Sequence, residues 1–170
     1  MANQPEVWLR GPIGGIPALL QPVAHSLLQC REEAATVLPS LTNEQLFARP
    51  GGAASIGYHL RHAIGSLDRL FTYARGEMLS AEQLAALKAE GEIDPAPDAA
   101  AKLLAAFDAA VEKALAQLRA TDERILLDPR HVGRARLPST VIGLLFHAAE
   151  HTQRHMGQMV TTAKVVKADA

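Results

Sequence analysis

Cysteine, aromatic rings, excess charge and long apolar runs are all scarce in this chain of 170 residues. Its one cysteine, Cys30, forbids an internal disulfide and any Cys-x-x-Cys site, and it points toward a reducing compartment. With 17 Lys+Arg against 18 Asp+Glu there is no basic surplus to neutralise phosphates, which argues against a nucleic-acid partner. The longest apolar run, Val141 to Phe146, is far below the roughly 20 residues that span a bilayer, and His147 breaks it. The N-terminal MANQPEVWLRGPIGG has no basic region followed by an apolar one, so no export signal is read there. The expectation is a cytoplasmic protein with no membrane partner.

Catalytic signatures are missing too. There is no Gly-x-Gly-x-x-Gly, no phosphate-binding P-loop and no Gly-x-Ser-x-Gly. Di-iron bundles need Glu-x-x-His on two helices, and none occurs. Zincins need His-Glu-x-x-His, whereas here Glu150 precedes His151. The Gly-rich stretch 11–15 leads into no phosphate motif and reads as a flexible lead-in. Cys30 falls on a core stripe, where a buried thiol is inert.

What is present is helical periodicity. Leu20, Val23, Leu27, Cys30, Ala34 and Leu38 recur every three or four positions until Pro39 stops the ladder. Ser55 is a good N-cap for a second helix that carries Ile56, Leu60, Ala63, Leu67, Leu70, Phe71 and Ala74 and runs to about Arg75, with Gly76 as its stop. Thr42-x-x-Gln45 and Ser80-x-x-Gln83 have the form of capping boxes, the second opening a short helix that ends near Glu90. A third long helix starts near Asp98, with Leu104, Phe107, Val111, Ala114 and Leu118 inward. Residues 121–138 are irregular, with room for an extended excursion at Val132 to Leu137. A fourth long helix opens at Ser139 and runs to about Lys164. Four amphipathic helices bury their stripes most economically against one another. The expected fold is therefore all-α, a four-helix bundle with a short extra helix between helices two and three, filling one domain over residues 1–170.

Five of the seven histidines fall in two of these helices: His59 and His62 in the second, His147, His151 and His155 in the fourth. On the fourth helix the stripe Val141, Leu144, Ala148, His151, His155, Met159 and Thr162 places two imidazoles where aliphatic side chains are expected. Residues four apart have Cβ atoms roughly 6 Å apart, so both rings can reach one ion. His59 or His62 on a facing helix would complete a set of three and leave positions open for water or substrate. His147 lies about 12 Å along the axis from His155 and cannot easily share that ion. A lone inward histidine is usually satisfied by a carbonyl or water, but two on one helix face each need a partner. His25 and His131 stand alone and read as surface residues.

The segments Leu41-Thr42-Asn43-Glu44-Gln45-Leu46 with Arg49-Pro50, Ser55-Ile56-Gly57-Tyr58-His59-Leu60-Arg61-His62, and His151-Thr152-Gln153-Arg154-His155-Met156-Gly157-Gln158 together resemble the DinB-like superfamily. Its members are metal-binding four-helix bundles, often dimeric, grouped with bacillithiol transferases and mycothiol-dependent isomerases. The resemblance covers nearly the whole chain. It implies a metal triad of His62, His151 and His155 and a homodimer, but no fixed catalytic acid or base. Helical phase by itself favours His59, about 60° from the stripe, over His62 at about 120°, so His59 stays as a supporting or substitute ligand. Nitrogen donors suit Zn²⁺ or Ni²⁺. Such an ion would activate water or a low-molecular-weight thiol for hydrolysis or thiol transfer. Tyr58, Arg61 and Gln158 are candidate substrate contacts. The alternative is a dimeric bundle acting as a binding or stress-response scaffold without turnover.

Overall fold

The computed structural model describes residues 4–168. Six α-helices and one hairpin appear among them: α1 Gln21–Val37, α2 Asn43–Phe47, α3 Ile56–Ala74, α4 Ala81–Ala89, α5 Ala99–Ala120, β1 Pro129–Val132, β2 Leu137–Thr140 and α6 Val141–Ala168. The long helices α1, α3, α5 and α6 form the bundle, while α2 and α4 are short connecting pieces. No helix among the described residues is long and apolar enough to cross a membrane.

Local chemistry sets the helix ends. Pro22 sits in the first turn of α1, where its missing N–H costs nothing, and Pro39 follows the last turn. Both capping boxes form, Thr42 with Gln45 and Ser80 with Gln83, each side chain accepting from the other's backbone N–H. Ser55 Oγ accepts Tyr58 N–H at 3.2 Å to start α3, and Gly76, at φ +81°, turns the chain out of it. At the head of α6, Thr140 Oγ1 accepts Gly143 N–H at 3.1 Å.

The packing order differs from a sequential up-down bundle. Around the ring the order is α1, α6, α3, α5, so α1 lies diagonal to α3 and α5 diagonal to α6. The chain crosses these diagonals through the connections at residues 38–55 and 121–140. Leu27, Leu60, Leu67, Phe107, Leu118, Leu145, Met156 and Met159 fill the centre and are all at most 1% exposed. Each contributes about 1.5–3 kcal/mol by leaving water. The most extensive interface is between α3 and α6, the two helices that carry the clustered histidines.

Two local expectations are corrected. The extended residues are not Val132 to Leu137 but the flanking strands, which pair antiparallel with Pro129 opposite Thr140 and Val132 opposite Leu137. Residues 133–136 are the turn, with Gly133 and Arg136 at φ +64° and +49°. The N-terminal lead-in is packed against α1. Val7 and Ile16 are buried, and Gln21 clamps the segment through Ile13 N–H at 2.7 Å and the Ile16 carbonyl at 2.8 Å. Gln29, which accepts from Val7 N–H at 3.1 Å, ties the segment to α1 as well.

Candidate metal centre

His62 projects from α3 toward α6, and His151 and His155 meet it one turn apart. One ring nitrogen from each of these three residues lies within 4.8 Å of the others. His62 Nε2 stands 2.9 Å from His151 Nε2. Ring centroids are 4.5 Å apart for His62 and His155 and 4.6 Å for His151 and His155. The three histidines singled out by the family resemblance are therefore the three that converge.

They do so at the edge of the core. The fully buried stripe of α6 runs through Ala148, Thr152, Met156, Met159 and Ala163, one position beyond the expected His151 and His155, which are half-buried. The difference has a simple cause. With α3 and α6 side by side, the wedge beside their contact line receives the residues flanking each stripe. The same displacement brings in His62, which helical phase alone places far round α3.

His59 belongs to the site in another way. It is 7% exposed, and its Nδ1 lies 3.0 Å from Nδ1 of His155. One ring donates and the other accepts, so their tautomers are coupled. His59 thus backs His155 and lies outside the group of three converging nitrogens. His147 is exposed and faces Glu150 at 3.2 Å. His25 reaches the Gly11 carbonyl at 3.0 Å, and His131 meets Arg136 at 3.2 Å; neither approaches the cluster. Tyr58 stacks on His62, with centroids 5.7 Å apart and planes 13° from parallel. Arg61 turns away to the Glu92 carbonyl and the Phe47 ring, while Gln158 is exposed. Cys30 is fully buried, its thiol pushed up to about 12 chiefly by desolvation.

A residue that sequence reasoning missed completes the arrangement. Glu90, just after α4, is buried. Its Oε2 lies 2.7 Å from His62 Nδ1, and its Oε1 accepts from Arg69 Nη1 at 2.7 Å. Nothing in the local sequence marks it, since a glutamate closing a short polar helix is ordinary. Only Gly65, an unforced glycine in the middle of α3, hints that something approaches that helix closely.

The donor set fits a divalent cation. A carboxylate can only accept, so the His62 proton sits on Nδ1 and its Nε2 presents a lone pair to His151. With metal–nitrogen distances of about 2.0–2.1 Å, a single ion could reach both Nε2 atoms across the 2.9 Å between His62 and His151. Electrostatics favour bare donors as well. Burial, then the neighbouring His62, His151 and His59, pushes His155 down to about 4. Burial and nearby His62 lower His151, and burial followed by His62 lowers His59. Neutral imidazole is the form that ligates.

A cavity of about 390 Å³ is walled by Phe47, Arg49, Ser55, Tyr58, Glu90 and Ile93 among others, with none of the three histidines in its wall. Two of these, Tyr58 and Glu90, touch His62 directly.

Known proteins agree with the architecture. A DinB-like protein from Bacillus cereus ATCC 10987 superposes with a TM-score of 0.61 at 16% identity, covering 85% of this chain and 91% of that one. At that identity the likeness speaks for the fold. No curated protein matches the chain. The family model of the DinB superfamily, however, matches residues 26–159, from the middle of α1 to the last turns of α6. A match of that extent, laid over this helical bundle, shows that the chain belongs to the DinB superfamily.

Proposed function

We propose that the protein is a metal-dependent enzyme whose centre is formed by His62, His151 and His155. The convergence of three ring nitrogens within 4.8 Å, two of them with facing Nε2 atoms at 2.9 Å, carries this reading. A divalent ion held there, Zn²⁺ or Ni²⁺, supplies a nucleophile at neutral pH by lowering the pKa of water or a low-molecular-weight thiol. The chain's own residues do the remaining work. His62, His151 and His155 offer ring-nitrogen donors, and Tyr58 holds the plane of His62 by stacking on it. Phe47 and Ile93 give the neighbouring cavity apolar walls, while Arg49 and Ser55 bring polar groups to it. Its volume lies within the range of small-molecule sites, and Tyr58 and Glu90 link it to His62. Thiol transfer or hydrolysis is the proposed reaction class, in the cytoplasm.

We further propose a homodimer. The exposed Trp8 and Phe146 flank one surface of α1 and α6 around Pro22, Ser26 and Gln153, a place for a second copy.

The test is elemental analysis of protein purified without a histidine tag, then the same for His151→Ala. One ion per chain in the parent and none in the variant is the expected result. Full retention of metal by His151→Ala would remove the site assignment. A screen of thiol-transfer and hydrolysis substrates on the loaded protein then separates enzyme from scaffold.

A further inference from the structure

We propose that Glu90 is the positioning residue of this centre, fixing the tautomer and orientation of His62 from a recess built for it beside α3. The proposal rests on the reading of the three histidines as donors.

Carboxylates are seldom buried unless paired, and the Glu90 side chain is 8% exposed. Both oxygens are committed: Oε1 accepts from Arg69, itself 11% exposed, and Oε2 faces His62 Nδ1, each at 2.7 Å. Arg69 and His62 lie on α3 two turns apart, with Gly65 between them. A Cβ at Gly65 would come within 2.6 Å of Arg69 Nη1 and 2.7 Å of Glu90 Oε1. Glycine in a helix interior costs about 1 kcal/mol relative to alanine. The sequence therefore accepts a weaker helix at the one point where the carboxylate must enter.

The consequence for His62 is specific. Because Glu90 only accepts, His62 keeps its proton on Nδ1 and turns Nε2 toward His151 and His155. Tyr58, stacked on the ring, opposes a change of plane. A half-turn of the ring would set carbon against the carboxylate. His151 has no such support, since its Nδ1 is buried without a hydrogen-bond partner. Of the two rings that face each other through Nε2, His62 is thus the one whose direction is set in advance, while His155 is backed by His59.

Two readouts test this. In ¹⁵N-labelled metal-free protein at pH 8, long-range ¹⁵N–¹H correlation should show His62 protonated on Nδ1, and Glu90→Gln should shift it toward the Nε2–H tautomer. In Zn²⁺ titrations, Glu90→Gln should weaken affinity about 10–100-fold with little change in helical content. Arg69→Met should move both readouts in the same direction. If Glu90→Gln does not fold, the parent spectrum and Arg69→Met still decide. A parent His62 protonated on Nε2, or variants with unchanged tautomer and affinity, would overturn the proposal. Should the parent bind no Zn²⁺ while His62 shows the Glu90-dependent tautomer, positioning stands and the metal reading fails.

Discussion

A histidine that is to hold a cation must keep a bare nitrogen at working pH, and His155 is built for that. Held near 4 by burial and by three neighbouring imidazoles, it resists protonation that an ordinary ring, at 6.5, accepts. In the metal-free protein the unfolded chain therefore binds more protons than the folded one between those two values. The contribution of this ring to stability is fully present above about pH 6.5 and is lost as the pH drops toward 4. The lowered His59 and His151 act in the same direction. Urea unfolding of metal-free protein should show a lower midpoint at pH 5 than at pH 7.5. An equal or higher midpoint at pH 5 would contradict the buried, neutral cluster. A second residue-scale expectation concerns Gly65→Ala. The added methyl collides with the Arg69–Glu90 pair, so the gain in helix propensity is outweighed by overpacking of about 1–3 kcal/mol. Thermal unfolding should report this as a lowered Tm.

Among the helices, α4 is the exception, for it buries no residue along its length. Leu84 and Leu87 are each 41% exposed, and beneath the helix a cavity of about 330 Å³ separates Ala86 from Ile64, Phe71 and Ala110. α4 is held at its two ends. At the first, the capping box forms and Gln83 Nε2 reaches Asp68 and Thr72 Oγ1 at 2.5 and 2.8 Å. At the second, Glu90 meets Arg69 and His62. Hydrogen exchange should therefore be faster in α4 than in α3 or α6, where buried apolar contacts resist opening. Gln83→Ala should raise the α4 rates further. Protection of α4 equal to that of α3 would show that it is seated more firmly than its ends imply. By contrast, Leu67→Ala in the centre of α3 should cost about 2–5 kcal/mol of global stability.

For the molecule as a whole, the centre bridges α3 and α6, so an ion bound there stabilises the bundle by mass action. At a free concentration 100 times Kd the gain is about 2.7 kcal/mol, and Tm should rise with added Zn²⁺ and fall back with chelator. No shift on loading would mean that the ion binds folded and unfolded chains alike. Light scattering at low micromolar concentration should give twice the 18.2 kDa of one chain. A monomer would refute the proposed association through Trp8 and Phe146.

The long helices, most of their ends and the character of the core follow from sequence alone, because they depend on local physics; the head of α6 does not, since Ser139 and Thr140 pair in β2 and the helix opens at Val141. A periodic stripe must be buried, proline must break the ladder, and Thr42, Ser55 and Ser80 cap whatever follows them. The pairing of His151 with His155 is local for the same reason, being one turn of one helix. His62 is different: residue order through the family motif points to it, whereas helical phase points away. Only the placement of α3 beside α6 explains how a flank residue enters the site. Glu90 and its recess beside Gly65 depend on three segments meeting, as does the order of the four helices around the ring. Sequence thus determines which surfaces each helix must hide. Which helix hides them, and what is caught in the seams between, is a matter of long-range packing that no periodicity encodes.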